Sequence, residues 1–428
     1  MLTAVDGRGF VLFAPYILPE SGRFRLLVRE PSGSLREVER SEAVQGYLAI
    51  GFDPPQGGGV RFVGSTSLPK TLDEALQSRA RALLSFFRAR LGTSRDVRIV
   101  VAYRQASDRS RPSQYRGDVT PNGFALIRIT GGEADGDIVL RYVQLLAHEL
   151  FHLWNAPRDD LPDQEAWLHE GSADYFSWIA IAQLWPQQID LAGRVEHALR
   201  DCATLLRGRA LSELSAGDAM QVRYPCGAVI NWIADAGIRG ETSARSSGLA
   251  IWAQTLRATG PHRRYSTSDF MDNVRQKGPK TAALIQLLVN GHGLERWYRI
   301  TRELSAMGAD VRAGPPTPFA IRSAAIRPLV LSACGEIWGL GEDHDAIFAL
   351  APPTCAGFAS QTFVRRIDGV ELGSDPQAAY ERVAVACTRR ESLDLLLEDD
   401  GGSRHERIVC SVAADQPEPD LRVGRSKP

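Results

Sequence analysis

Apolar positions change their spacing twice along the chain. Up to about Val63 they come in short runs, Phe10-Val11-Leu12-Phe13, Phe24 to Val28, Tyr47 to Phe52 and Val60 to Val63, broken by Pro54-Pro55 and Gly57-Gly58-Gly59. Short β-type runs between Pro and Gly clusters predict a small antiparallel β unit over 1–70. Thr71-Leu72-Asp73-Glu74 then has the spacing of a capping box, and the helical pattern behind it runs to Leu91 and stops at Gly92. Val97 to Tyr103 and Phe124 to Thr130 read as strands. From Ile138 the period lengthens again, and helices are expected almost without a break to about residue 306: Ala166 to Trp185, Arg194 to Arg207, Pro225 to Ala236 with Pro in its first turn, Gly248 to Thr259, Asp269 to Gln276, Thr281 to Val289 and Leu294 to Leu304. After Pro315-Pro316-Thr317-Pro318 the pattern returns to β-like runs, Ile326 to Ser332, Ala346 to Leu350, Thr362 to Ile367, Arg382 to Ala386 and Ser392 to Leu397, with a helix-like Pro376 to Tyr380 among them. Gly339-Leu340-Gly341 is expected as a turn, and 416–428, polar and Pro-rich, as a flexible tail.

The helix from Ile138 to Asn155 carries candidate chemistry. Ile138, Tyr142, Leu145, Leu146 and Phe151 set its apolar face, and His148 and His152, four apart, leave one face about a turn from each other. Two imidazoles so placed suit a metal, and Glu149 follows the first in the order His-Glu-x-x-His, where its carboxylate can take a proton from an activated water. That short pattern also arises by chance, so a third ligand matters. A catalytic zinc keeps three protein ligands and one free position. Pro157 ends the helix, 158–163 form a polar loop, and the next helix can return antiparallel to set Glu170, 18 positions after His152, opposite the histidines. Asp174 lies four further on, on the same face, and can orient a ligand imidazole through its other nitrogen. His169, next to Glu170, could reach toward the site as a donor behind a ligand, but its one-residue offset along the helix is expected to turn it roughly 100 degrees away, and His197, His262, His292 and His344 are expected to be surface or capping residues.

HELFHLWN followed by WLHEGSADYF resembles the gluzincin metallopeptidases, and the Trp-Asn after the second His is similar to the glycyl aminopeptidase family with a C-terminal PDZ domain. The resemblance implies His148, His152 and Glu170 as zinc ligands, one ion per chain, Glu149 as general base and Asp174 as the carboxylate behind a ligand. Tyr224, in Tyr224-Pro225-Cys226-Gly227, matches the family's Tyr-x-x-Gly helix, which implies a hydroxyl that holds the oxygen of the attacked carbonyl. Arg366-Ile367-Asp368-Gly369-Val370-Glu371-Leu372 and the helix after it look like part of a PDZ domain. Related aminopeptidases read the substrate ammonium with a Glu on a Gly-rich strand before the metal helix. Here Pro121 to Glu133 has Ala125-Leu126-Ile127 at its centre, with Glu133 beyond it and Asp159, Asp160 and Asp163 as another acidic cluster. Weak ammonium recognition is expected, hence cleavage of internal bonds or of a substrate read elsewhere.

Composition narrows the partners. Fifty Lys and Arg against 51 Asp and Glu give a net charge of -1, which supplies no electrostatic case for nucleic acid or an anionic membrane. No stretch nears the roughly 18 apolar residues of a membrane span, and Met1 to Glu20 shows no signal-peptide pattern, so a soluble chain is expected. The six Cys, at 202, 226, 334, 355, 387 and 410, include no Cys-x-x-Cys; an even number fits disulfides in an oxidising, extracytoplasmic setting, and thiols in a reducing one as well.

Taken together, these patterns predict an α+β protein: a short N-terminal β unit (1–70), a thermolysin-like zinc peptidase domain (71–310) and a PDZ-like β domain (322–415). Its substrate would be a peptide or protein. The rival expectation is a catalytically inactive scaffold that binds peptides through the PDZ-like domain.

Overall fold

A computed structural model describes residues 10–13, 26–29, 35–38, 47–50, 60–64, 70–92, 97–105, 114–119, 124–131, 136–155, 166–259, 265–337, 339–343, 346–352, 354–355, 357–358, 361–399 and 402–424. In chain order the elements are strands β1 (Phe10–Phe13), β2 (Leu26–Arg29), β3 (Leu35–Val38), β4 (Tyr47–Ile50) and β5 (Val60–Gly64), helix α1 (Lys70–Leu91), strands β6 (Val97–Gln105), β7 (Gln114–Val119) and β8 (Phe124–Gly131), then helices α2 (Gly136–Asn155) and α3 (Ala166–Leu184). Helices α4 (Leu191–Leu206), α5 (Ala216–Glu241), α6 (Gly248–Thr259), α7 (Thr267–Lys277), α8 (Pro279–Asn290) and α9 (Glu295–Ala306) follow. The remainder is β9 (Val311–Gly314), α10 (Pro318–Cys334), β10 (Gly339–Asp343), β11 (Ala346–Leu350), β12 (Thr362–Ile367), β13 (Val370–Glu371), α11 (Pro376–Arg389), β14 (Ser392–Asp399), β15 (Gly402–Val409) and β16 (Asp420–Val423). The chain forms two compact units, Met1–Arg194 with Ala244–Lys277, and Val195–Ser243 with Gly278–Pro428, a division that cuts across the expected 71–310 segment.

In the first unit a four-stranded sheet has the order β5-β6-β8-β7. β5, β6 and β8 run parallel, and β7, a strand not foreseen from the sequence, runs antiparallel to β8 at the edge. Alternate residues Val97, Ile99 and Val101 of β6 are buried, and so are Leu76, Ala80, Leu83 and Phe87 of α1, at helical spacing. Phe87 meets Phe151 of α2 edge-on, with ring centroids 5.5 Å apart, and Phe151 stacks on Phe176 of α3 at 5.3 Å and meets Trp252 of α6 at 5.9 Å. Three helices are thereby fixed around α2 by one aromatic ring, whose burial alone stabilises by about 1.5–3 kcal/mol. α3 is buried nearly all round. Its Gly171-Ser172-Ala173 has almost no side-chain bulk, which suits close approach to α2.

In the second unit the Cys202–Cys226 disulfide joins α4 to α5. Glu241, at the end of α5, accepts hydrogen bonds from the backbone N–H of Thr281 at 2.7 Å and from its hydroxyl at 2.6 Å, placing a carboxylate at the start of α8 where the helix dipole favours it. Pro225 lies inside α5 and not in its first turn, because the helix begins at Ala216. The C-terminal part is one antiparallel sheet, β10-β11-β12-β14-β15, with β13 paired to β12. Ile326, Leu329, Val383, Leu395 and Ile408 share its core with Phe358. Asp368 and Gly369 have φ of 46° and 81° and join β12 to β13, the positive-φ pair that a tight hairpin turn requires.

Several expectations for this part are corrected. The run Ile326 to Ser332 is not a strand but part of α10, where the Thr317 hydroxyl caps the N-terminus, Pro318 opens the first turn and Gly335, at φ 76°, closes the end. Caps at both ends and buried Ala325, Ile326, Leu329 and Val330 at helical spacing outweigh the β character of the run. Arg382 to Ala386 continues α11, capped by Asp375, with Ala379, Val383, Ala386 and Cys387 buried on one face. Gly339 to Gly341 is strand β10, not a turn. Gln416 to Gly424 is no frayed tail: β16 pairs with β9, Leu421 is fully buried, and Glu196 accepts from the Val423 N–H at 3.0 Å.

Candidate metal centre

α2 and α3 bring His148, His152 and Glu170 together, with one donor atom from each lying within 4.8 Å of the others. His148 Nε2 and His152 Nε2 are 3.1 Å apart, and a Glu170 carboxylate oxygen stands 3.3 Å from the first and 3.6 Å from the second. The other ring nitrogens decide what these atoms can do. His148 Nδ1 donates to Asp174 Oδ1 at 2.8 Å, because an ionised carboxylate only accepts. His152 Nδ1 lies 2.9 Å from Asn155 Oδ1. The Asn155 amide is oriented by its other end, whose Nδ2 donates to the His169 carbonyl at 2.9 Å and to Ser172 Oγ at 2.8 Å. A carbonyl can only accept, so the amide oxygen must face His152 and His152 Nδ1 must carry the proton.

Both Nε2 lone pairs therefore point at one another and at a carboxylate oxygen. Three electron pairs that converge on one buried point need a cation. A tetrahedral zinc with bonds of about 2.0–2.2 Å would separate its ligand atoms by roughly 3.3–3.6 Å, and the three distances here bracket that range. Burial by itself opposes charge on His148, but hydrogen bonds to Asp174 and Glu170 and the charges of Asp174 and Glu149 outweigh it and hold the imidazole up to about 10. Burial would likewise raise the Glu170 carboxyl, yet the hydrogen bonds to both histidines win and keep it well below the usual carboxylate range. The residues fit a divalent metal of the zinc kind.

His169 does not turn away as expected. Its ring stacks on His152 at 4.2 Å and 25°, with Nδ1 3.4 Å from the Tyr265 hydroxyl, which donates to the Asn155 carbonyl at 3.1 Å. Burial, reinforced by the neighbouring His152, pushes the His169 imidazole down to about 3, so it remains neutral. Asn155 and His169 thus hold the plane of His152. Of the two, His169 is foreseen from the sequence only as a donor that the helix turn carries away from the site, and Asn155 only as part of the Trp-Asn pair.

Glu149 is buried on the neighbouring face of α2. Its carboxylate lies against Gly117 of β7, where an added methyl group would overlap it. Tyr224 belongs to the second unit: it is half-buried on α5, and its hydroxyl accepts from Arg223 Nη2 at 3.1 Å. His197 pairs with Asp201 and His292 with Glu213, each at 3.2 Å on the surface. His262, His344, Glu133, Asp159, Asp160 and Asp163 lie outside the described residues. Among the described residues no helix is long and apolar enough to cross a membrane.

No protein-family model and no curated protein matches the sequence. Solved structures similar to the chain include an aminopeptidase N family protein from Idiomarina loihiensis, at 14% identity and a TM-score of 0.47 over 85% of this chain and 65% of that one. An M1 zinc metallopeptidase from Deinococcus radiodurans, bound to a Tyr-Ser-Ala substrate, is similar at 19% identity and a TM-score of 0.37, over 55% of this chain and 49% of that one. Legionella pneumophila aminopeptidase A, in complex with aspartic acid, is similar at 13% identity and a TM-score of 0.40, over 63% and 28%. The chain spans between about a quarter and two thirds of the length of these proteins.

Proposed function

We propose that the chain is a zinc-dependent peptidase of the gluzincin type, related to the glycyl aminopeptidases. The observation that carries this reading is the convergence of His148 Nε2, His152 Nε2 and a Glu170 oxygen, with Glu149 one residue from a ligand on the same helix. A bound zinc would supply a Lewis acid that acidifies water and polarises a carbonyl. Asp174 and Asn155 hold the Nδ1 protons of the histidines and so leave Nε2 unprotonated for the metal. Glu149 receives the proton of the attacking water at its carboxylate and returns it to the leaving amine. By the resemblance of Tyr224-Pro225-Cys226-Gly227, Tyr224 would be the donor to the oxyanion; its hydroxyl accepts from Arg223 Nη2 at 3.1 Å. The strand, turn, strand of Arg366 to Glu371 followed by α11 supports a PDZ-like character for 322–415. Pairing of all six cysteines as Cys202–Cys226, Cys334–Cys355 and Cys387–Cys410 supports an extracytoplasmic setting.

The test combines metal analysis with hydrolysis. The wild type binds about one zinc per chain, and His152→Ala loses it. Glu149→Gln keeps the metal and loses at least ~100-fold in turnover. Zinc retained at full stoichiometry in His152→Ala, or a metal-loaded wild type that cleaves nothing in a broad peptide library, rules the reading out. The same peptide with a free and an acetylated N-terminus separates the two modes of cleavage, and comparable rates are expected.

A further inference from the structure

Tyr115 is 45% exposed, and among the described residues only Val385 and Val409, both in the second unit, are other large hydrophobic side chains so open to solvent. It stands on β7, the edge strand of the sheet, in register with Ile129 of β8, while Gly117 is in register with Ile127. Side chains alternate along a strand, so Tyr115 projects from the same face as the absent side chain of Gly117. That face is the one on which the Glu149 carboxylate lies. Two residues along a strand cover roughly 6.8 Å, which puts Tyr115 about two extended residues from the position over Glu149. Its ring is held from below by Tyr142 of α2, buried, at 6.1 Å and 79°. An aromatic ring fixed on one side by a buried partner and open on the other costs little conformational entropy to cover, which is what a hydrophobic recognition surface requires.

We propose that Tyr115 is a specificity-determining residue, whose exposed face takes an apolar side chain of the peptide substrate within two or three residues of the bond attacked. The proposal rests on the peptidase reading above and adds a substrate class: peptides with an aromatic or large aliphatic residue near the scissile bond. Tyr142 positions the ring and touches no substrate.

The test is binding and cleavage of N-acetylated alanine hexapeptides in which one Phe is moved through each position, against the all-Ala peptide. Binding is measured on the zinc-loaded, full-length Glu149→Gln variant, and cleavage on the wild type. The expected result is one position at which Phe tightens binding and raises kcat/KM by roughly 10-fold, the scale of an aromatic contact in a specificity site. Tyr115→Ala abolishes that preference while zinc content and the unfolding midpoint stay as in the parent, and Tyr115→Phe preserves it. Failure to prefer Phe anywhere, a preference that survives Tyr115→Ala, or no peptide binding at all overturns the proposal. Failure of the peptidase reading shows separately, as zinc-loaded wild type that binds the Phe peptides and cleaves none.

Discussion

A methyl group on Gly117 has no free space, because it would stand where the Glu149 carboxylate lies. Of the two neighbours the flexible carboxylate would yield more easily than strand backbone, so Gly117→Ala should swing Glu149 out of line while leaving His148, His152 and Glu170 in place. Displacing a reacting group by about 1 Å can cost roughly 100-fold. Turnover in Gly117→Ala should fall by that order with zinc stoichiometry unchanged, and wild-type turnover in this variant would show that Glu149 needs no such slot. His169 offers a prediction in pH. Its folded value, about 3, lies below the ordinary 6.5, so between those values the unfolded chain binds the extra proton. Its contribution to stability is therefore present above about 6.5 and is lost as pH falls toward 3. Denaturant unfolding between pH 4 and 7 should show stability that falls on acidification, and His169→Phe, which keeps the stacked ring and removes the titration, should flatten that slope.

At the scale of elements, α2 and α3 are joined at the metal centre by one amide. Asn155, in the last residue of α2, orients His152 through its oxygen and binds His169 and Ser172 of α3 through its nitrogen. Asn155→Leu removes both: Ser172 Oγ still donates to the His169 carbonyl at 3.0 Å, but the buried His152 Nδ1–H loses its acceptor, which costs about 1–3 kcal/mol for such a group. Zinc affinity should fall about 10–100-fold, the usual loss when the residue behind a ligand histidine goes. Equilibrium dialysis against a zinc chelator measures this, and an affinity equal to the wild type would leave Asn155 a purely structural link. The ligand spacing was legible in the sequence because four residues on a helix always share a face, whatever the helix packs against. The link through Asn155 was not, since the distance from its amide to the His169 carbonyl depends on how closely two helices approach. Small residues at Gly171-Ser172-Ala173 hint at a close approach without fixing which atoms meet. Strand β7, unseen in the pattern of Gln114 to Val119, shows the same limit: an edge strand with Gly in its middle and polar residues beside it lacks the apolar alternation of a half-buried strand.

For the whole molecule, the three disulfides span 24, 21 and 23 residues and leave no cysteine free among the described residues. Loops of that size stabilise by about 3 kcal/mol each in the chain-entropy account. The denatured, unreduced protein should therefore show no reactive thiol, and reduction should lower the unfolding midpoint. Six titratable thiols in the denatured protein before reduction would contradict the pairing. By itself the sequence determined what depends on residues close together in the chain: the helix with His148, Glu149 and His152 on neighbouring faces, the second helix with Glu170 and Asp174 four apart, and the Asp368-Gly369 turn. Local sterics and helical period impose these relations with little help from the rest of the fold. Only the tertiary structure decided which cysteines pair, that Ile326 to Ser332 is helix, that Leu421 buries a terminal strand, and that His169 stacks on His152. Each of those depends on groups distant in sequence competing for the same buried space, and that competition is settled by packing and hydrogen-bond satisfaction across the whole unit, not by propensity along the chain.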